Sequence, residues 1–326
     1  KYTYNYTIPI ITAKSYTLTY TYGGNSIYDR CTTSKTIKIN KQTTRITTNN
    51  VKGYVGEPVI LKGTLTTTNG TKINGSVTIK LNGKTVRKVT VTNGSFSYNY
   101  VIPSYHANNY TLNYIYDGTS QYNTSSANKI FTILKHDIVI NASDVSIYAG
   151  ETVNLKGTVK ASNGTNIMQG TVIIKFNGRV IGQANITNST FLYKYKIPDC
   201  TAKNYTLTYT YNESTNYNSY QFNSTLNVKN QTSIIKISGV TKKSDKLKFT
   251  VQIKGSKTAI PATAGSVVYK IDGKLVKDSN GTIIKTTIRN GTVVITYTIP
   301  KSIRKGTHTL TVVYYGGKSL RGGYTS

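Results

Sequence analysis

The residues that decide the fold lie between positions 96 and 116. Residues 96–103 read FSYNYVIP and residues 110–116 read YTLNYIY, so apolar or aromatic side chains occupy every second position of both segments. Side chains two apart in a strand share a face, and the intervening residues, mostly Ser, Asn and Thr, suit a solvated face. Proline has no N–H to donate to a ladder, so Pro103 marks a strand end. The pattern predicts two strands joined by a turn.

The same pair of segments occurs four times in the 326 residues. The proline that ends the first segment recurs at Pro9, Pro103, Pro198 and Pro300, in steps of 94, 95 and 102 residues. A repeat of that length is a domain rather than a solenoid unit. We therefore expect whole domains at 41–135 and 136–229, a partial domain at 1–40 with the last three strands, and a domain at 230–326 that lacks its last strand.

The two incomplete domains allow two explanations. Residues 1–40 are predicted to hold strands at Tyr2–Ile8, Tyr16–Tyr22 and Thr36–Asn40. Either the segment is cut from a longer gene, or a neighbouring molecule lends a strand, as in donor-strand pairing. We favour truncation, because residues 1–40 offer three late strands where residues 230–326 lack one.

The composition is that of a β protein, with 28 Tyr, no Trp and no helical periodicity. Each copy predicts about seven short strands separated by turn signals such as Asn82-Gly83, a strong signal for a two-residue hairpin. This pattern indicates an all-β chain of tandem immunoglobulin-like antiparallel β-sandwiches, with a barrel as the alternative. The links between copies are short, so we expect the domains to line up as a rod.

Two expectations concern tyrosines and phenylalanines. The aromatic face of the Ile-Pro strand should point inward and be largely buried, at Phe96, Tyr98, Phe191 and Tyr193. The Tyr near the start of the following strand resembles the tyrosine corner of such sandwiches, whose hydroxyl bonds back to the backbone. The corner candidates are Tyr16, Tyr110 and Tyr205, with His308 in this place in the last copy.

Three motifs carry a family resemblance. Residues 56–64 read GEPVILKGT, residues 75–84 read GSVTIKLNGK and residues 306–317 read GTHTLTVVYYGG. They resemble the bacterial Ig-like domain repeat family, which builds long surface proteins. The composition, rich in Lys, Asn and Tyr, resembles that of adhesin-like surface proteins of methanogenic archaea. The resemblance implies an extracellular place at the cell surface or cell wall. It also implies a surface glycan, a cell-wall polymer or another cell's surface protein as partner.

The chain is strongly basic, with 41 Lys and Arg against 11 Asp and Glu and a formal net charge of +30. The basic residues are spread over all copies, and only residues 242–248 look clustered. No zinc-finger spacing, helix-turn-helix pattern or RNA-binding sheet motif is present, so we expect no nucleic-acid partner. No signal peptide or membrane span is visible, so we expect membrane contact only through an anchor outside this segment.

Catalytic constellations are not visible in the sequence, and we expect no enzyme activity, cofactor or metal site. The three histidines, His106, His136 and His308, occupy different repeat positions and are interpreted as surface or corner residues. Glu57 and Glu151 are the one acid that recurs, most simply as a solvated turn residue.

Three further chemical points concern acids and thiols. A recurrent acid could instead promote a Lys–Asn isopeptide cross-link, and calcium could bind between domains near Asp117; we favour neither. Cys31 and Cys200 fall at different repeat positions, so we expect two free thiols.

Asn-x-Ser/Thr sequons are abundant, and several lie in open turns where a glycan would fit. The candidate glycosylation sites are Asn69, Asn74, Asn93, Asn109, Asn163, Asn188, Asn204, Asn280 and Asn290.

These features together predict a non-catalytic structural stalk segment of a cell-surface, adhesin-like glycoprotein whose binding head lies elsewhere. The alternative is a binding module, in which Lys and exposed Tyr hold a carbohydrate or an anionic cell-wall polymer.

Overall fold

The structure, a computed structural model, describes residue 1 and residues 3–303 and 305–326. These residues form 26 β-strands and no helix. The chain divides into two compact units, residues 1–136 and residues 137–326.

The first unit contains ten strands. They are β1 (Ser15–Tyr22), β2 (Cys31–Lys38), β3 (Thr44–Thr48), β4 (Val51–Tyr54), β5 (Pro58–Thr67), β6 (Gly75–Leu81), β7 (Lys84–Val91), β8 (Ser95–Val101), β9 (Asn109–Tyr116) and β10 (Ser125–Leu134).

Strands β3 to β10 form a sandwich of two sheets. One sheet has the order β3-β5-β8 and the other the order β4-β10-β9-β6-β7. Neighbouring strands are antiparallel except β4 and β10, which pair in parallel. The alternating apolar residues of both sheets, among them Leu61, Phe96, Ile79 and Tyr114, form one buried cluster. The predicted all-β, immunoglobulin-like sandwich is therefore confirmed.

The second unit repeats this plan twice. Its strands are β11 (Ile138–Ala142), β12 (Val145–Tyr148), β13 (Thr152–Ala161), β14 (Thr171–Phe176), β15 (Arg179–Asn185), β16 (Thr190–Lys196), β17 (Asn204–Tyr211), β18 (Tyr220–Lys229), β19 (Ser233–Lys243), β20 (Lys246–Gly255), β21 (Ser266–Ile271), β22 (Lys274–Leu275), β23 (Lys285–Thr287), β24 (Thr292–Thr298), β25 (Leu310–Tyr314) and β26 (Gly323–Thr325).

The first sandwich of this unit pairs β11-β13-β16 with β12-β18-β17-β14-β15, and again a short strand, β12, lies parallel to a late one, β18. The second sandwich pairs β19-β20-β24 with β22-β21-β25-β26, and β23 also lies on β21. Residues 276–284 separate β22 from β23, whereas the corresponding strand β15 is continuous. This interruption accounts for the longer step between the last two prolines.

Two sequence expectations about residues 1–40 are corrected by the structure. Residues 3–8 form no strand, and Tyr2 lies outside the described residues. A strand needs a partner for its N–H and C=O groups, and no strand that the structure describes pairs with residues 3–8. Strand β2 spans Cys31–Lys38 rather than Thr36–Asn40, because it pairs with β1 along its whole length.

The aromatic rows are buried as predicted at Phe96 and Phe191, whose side chains are almost inaccessible. Tyr98 and Tyr193 are only partly buried, although they pack against the same clusters. A tyrosine carries a hydroxyl that needs a polar partner, and that of Tyr193 donates to the carbonyl oxygen of Ile181 at 2.5 Å. The phenolic ends therefore lie at the margin of the core.

Candidate functional site

The tyrosines at the start of the strand after Ile-Pro share one backbone contact. Each phenol hydroxyl donates to the carbonyl oxygen four residues earlier, in the turn that precedes the strand. The bonds are Tyr16 to Thr12 at 2.7 Å, Tyr110 to His106 at 3.0 Å and Tyr205 to Thr201 at 2.8 Å. A buried phenol usually finds such a partner, so these bonds tie the turn to the strand.

The last copy replaces this contact with a side-chain hydrogen bond between His308 and Asp272. His308 Nδ1 lies 2.6 Å from Asp272 Oδ2, and the Thr309 N–H donates to Asp272 Oδ1 at 2.9 Å. The side-chain bond from His308 is the main cause that lowers the pKa of Asp272. Asp272 occupies the hairpin position held by Asn82 and Asn177 in the other copies, with a φ of 47°.

Cys200 and Tyr205 lie together beside the corner of the middle copy. Burial raises the pKa of Tyr205 to about 12, and the contact with Cys200 raises it further. Burial likewise raises the pKa of the Cys200 thiol. Cys200 packs against the hydrophobic cluster of the middle sandwich. Cys31 is exposed, and both cysteines are free thiols.

All nine candidate glycosylation asparagines are exposed. Several amides already serve the backbone or a neighbouring strand. Asn74 Oδ1 accepts the Asn93 N–H at 2.7 Å, and Asn109 Oδ1 accepts the Thr132 hydroxyl at 2.7 Å. Asn93 and Asn188 lie at turns with φ near 50°. The exposed turn asparagines are the most open attachment points for a glycan.

The recurrent acid is a turn residue with a backbone partner. Glu151 Oε2 accepts the Tyr148 N–H at 3.0 Å, which closes the turn between β12 and β13. The carboxylate is therefore bonded to the backbone rather than only to water. Among the described residues, no group of three or more His, Cys, Asp or Glu side chains could hold a metal ion.

The expectation that all histidines lie at the surface or at corners is wrong for His136. Its side chain is only 6% exposed, and its ring stacks on Tyr54 at a centroid distance of 4.7 Å. His136 Nε2 also lies 3.3 Å from the carbonyl oxygen of Val55. The stacked ring of Tyr54 covers His136. The sequence did not predict this contact, because Tyr54 lies on β4, a strand that the sequence pattern did not indicate.

Sequence reasoning also missed a junction between the two sandwiches of the second unit. Thr258 Oγ1 donates to the Ala149 carbonyl oxygen at 2.8 Å. Gln231, only 2% exposed, holds this loop by accepting the backbone N–H groups of Lys257 and Thr258. The bond from Thr258 to Ala149 joins two different repeats, and Gln231 holds the loop that carries Thr258.

A second set of contacts closes the same junction. Lys318 Nζ lies 2.8 Å from Asp199 Oδ2, and Thr263 Oγ1 donates to the same carboxylate oxygen. Ile260 packs against the hydrophobic clusters of both sandwiches. The partners lie far apart in sequence and in different repeats, so no spacing in the sequence could have revealed them.

The last sandwich also contains a cavity of about 1130 Å³ beside residues 276–284. Its walls include Asp272, Lys274, Tyr297, Ser302 and His308. In the first sandwich, the rings of Tyr105 and Tyr110 lie 5.2 Å apart at the equivalent positions, which Ser302 and His308 hold in the last sandwich.

No protein-family model and no curated protein matches the chain. Among solved structures, the chain is similar to a titin fragment, domains A168–A170, at 11% identity and a TM-score of 0.39, over 87% of this chain and 98% of that chain. It is similar to immunoglobulin domains 1–5 of Sidekick-1 at 11% identity and a TM-score of 0.39, over 86% and 57% of the two chains. It is also similar to fibronectin(III)-like modules of Clostridium thermocellum CbhA at 13% identity and a TM-score of 0.25, over 57% and 93%.

Proposed function

We propose that this chain is a non-catalytic stalk segment of an extracellular, adhesin-like surface protein. In this proposal the tandem sandwiches carry a binding head that lies elsewhere in the protein. That head engages a surface glycan, a cell-wall polymer or another cell's surface protein. The composition, rich in Lys, Asn and Tyr, favours a cell surface of the kind found in methanogenic archaea.

The junction between the two sandwiches of residues 137–326 carries the proposal. A stalk must hold successive domains in a defined relation, since long flexible tethers would let its head collapse onto the surface. Two polar contacts and one shared apolar residue, Ile260, do this here within one compact unit.

The exposed sequons support the extracellular location. Glycosylation of Asn-x-Ser/Thr adds bulky, solubilising groups at the surface of secreted and surface proteins. All nine candidates present their side chains to solvent, which is the access that a glycosyltransferase needs.

The test is surface labelling of intact cells that produce the protein. An antibody against residues 137–326 should label intact cells, and mass spectrometry of the purified protein should find glycan on some of the nine asparagines. Labelling that requires lysis of the cells would overturn the extracellular stalk. A cytosolic protein of known location, labelled in parallel, controls for leakage.

A further inference from the structure

The three-stranded sheet of the middle sandwich carries four basic residues on three strands, and its five-stranded sheet carries three, Lys175, Arg179 and Lys229. On the three-stranded sheet β11-β13-β16, the exposed face carries Lys156 and Lys160 on β13 and Lys194 and Lys196 on β16. Strand register places Lys156 opposite Leu192, so Lys156 and Lys194 are diagonal neighbours, about 7–8 Å apart between their Cα atoms. We call these four residues the lysine face.

No acid offsets this charge on the same strands. The five acidic residues of the middle sandwich all lie outside β11, β13 and β16, in turns and links. They are Asp137, Asp144, Glu151, Asp199 and Glu213. Like charges on one sheet face repel each other, so a charged ligand of opposite sign would relieve that repulsion.

A shallow depression of about 600 Å³ adjoins the lysine face. Its lining combines polar residues, among them Asn141, Ser143 and Thr190, with the apolar residues Ala142, Phe191 and Leu192. Amide and hydroxyl groups both donate and accept hydrogen bonds, as the hydroxyl groups of a sugar require.

The last sandwich also exposes lysines on its three-stranded sheet. Lys236 on β19 and Lys246, Lys248 and Lys254 on β20 are all exposed. In the first sandwich the corresponding outer face carries only Arg45 and Lys62 as basic residues. The lysine face is therefore a feature of the second unit and not a consequence of the fold.

We propose that the lysine face of the middle sandwich binds an acidic polysaccharide, with lysines on its acid groups and the depression on its sugar hydroxyls. This interaction goes beyond the stalk function, because it makes the stalk itself adhere along its length. The shared ligand chemistry is an anionic group on a sugar polymer, either carboxylate or sulfate.

A nucleic acid fits this face less well. Proteins that hold single strands combine a positive groove with aromatic rings on which bases stack. The aromatic side chains of β16, namely Phe191, Tyr193 and Tyr195, are buried or pack against the core. Strands β11 and β13 carry no aromatic residue.

The test compares two fourfold variants of the whole chain that remove the same charge. In the first variant Lys156, Lys160, Lys194 and Lys196 are changed to Gln. In the control, the four other basic residues of this sandwich are changed to Gln; they are Lys175, Arg179, Lys203 and Lys229. Binding is measured to polygalacturonate, dextran sulfate, neutral dextran and a single-stranded oligonucleotide.

The lysine-face variant should bind polygalacturonate or dextran sulfate at least about tenfold more weakly than the parent, because it loses four contacts together. The control variant should lose less than about threefold in affinity, since isolated exposed charges contribute little to binding. A fourfold Lys→Arg variant keeps the charge and should keep the affinity, which separates lost binding from misfolding. Equal losses in the two Gln variants, no binding of either polysaccharide, or tighter binding of the oligonucleotide would overturn the proposal.

Discussion

At the scale of single residues, the corner hydroxyl is the contact that most directly links sequence to fold. A Tyr at the start of the strand after Ile-Pro was visible in the sequence because it recurs at the repeat step. The acceptor carbonyl, four residues earlier, needed the structure. The pair of His308 with Asp272 could not be predicted, because both residues depart from the pattern of the other copies.

Removing a corner hydroxyl should cost one net hydrogen bond. We expect Tyr110→Phe and Tyr205→Phe each to lower the free energy of unfolding by about 1 kcal/mol. Hydrogen exchange of β9 or β17 in the whole chain measures this locally. Tyr324→Phe is the control, because that side chain is 77% exposed and should change nothing. Unaltered protection of β9 in Tyr110→Phe would argue against a stabilising corner.

Two phenols with raised pKa values, Tyr205 and Tyr269, should make the second unit sensitive to alkali. Burial raises the pKa of Tyr205 and of Tyr269 to about 12 in the fold, against about 10 in the unfolded chain. Between these values the unfolded state binds fewer protons, so stability is unchanged below about pH 10 and falls as pH rises towards 12.

Ultraviolet absorbance of tyrosinate, followed together with circular dichroism, checks this prediction. The exposed tyrosines should ionise first, and the last phenols should ionise only with loss of β structure. If all tyrosines of the chain ionised near pH 10 while the β signal persisted, burial of these hydroxyls would be refuted.

At the scale of strands, the hairpins and the aromatic strands followed from the sequence, whereas the short parallel strands did not. Asn82-Gly83 has φ values of 48° and 81°, the left-handed pair that such a turn requires. Strands β4 and β12 are only four residues long and pair with strands about 80 residues later. Neither local alternation nor turn chemistry encodes a parallel partner at that distance.

Gly157 lies within β13, where the ring of Phe191 occupies the space that a side chain would fill. A Cβ on Gly157 would lie 2.6 Å from Phe191 Cζ and would also clash with the backbone oxygen of Asn141. We expect Gly157→Ala to lower the free energy of unfolding by about 1–3 kcal/mol, as overpacking does. Gly23→Ala is the control, because no atom lies within 4 Å of its added Cβ. Urea unfolding of the two variants compares them directly.

The two-stranded sheet of β1 and β2 should be the least stable element of the first unit. Leu18, Tyr20 and Tyr22 on β1 are at least 40% exposed, whereas their counterparts on β9 are buried. An isolated two-stranded sheet is marginal in water. Hydrogen exchange should therefore be much faster in β1 and β2 than in β9 and β10. Equal protection would mean that an additional surface covers β1 in solution.

At the scale of the whole molecule, the informative feature is how two repeats combine in residues 137–326. The sequence predicted separate domains with short links. A few side-chain contacts therefore fix the relative orientation of the two sandwiches within residues 137–326. Those contacts involve Asp199, Thr258 and Lys318. Asp199 and Thr263 lie 64 residues apart and in different repeats.

Loss of the junction contacts should free the two sandwiches to move against each other while each stays folded. Spin labels at Ser162→Cys and Lys274→Cys, with Cys31 and Cys200 changed to Ser, report their separation by pulsed electron resonance. Both label sites are exposed. The parent should give a narrow distance distribution, and Asp199→Ala combined with Thr258→Ala should broaden it, because the carboxylate and the hydroxyl each anchor one side of the joint. Asp144→Ala removes an acid that binds the Thr225 N–H within one sandwich, so it should leave the distribution narrow. A parent distribution as broad as that of the double variant would show that these contacts do not hold the joint, and a stalk would then need another source of stiffness.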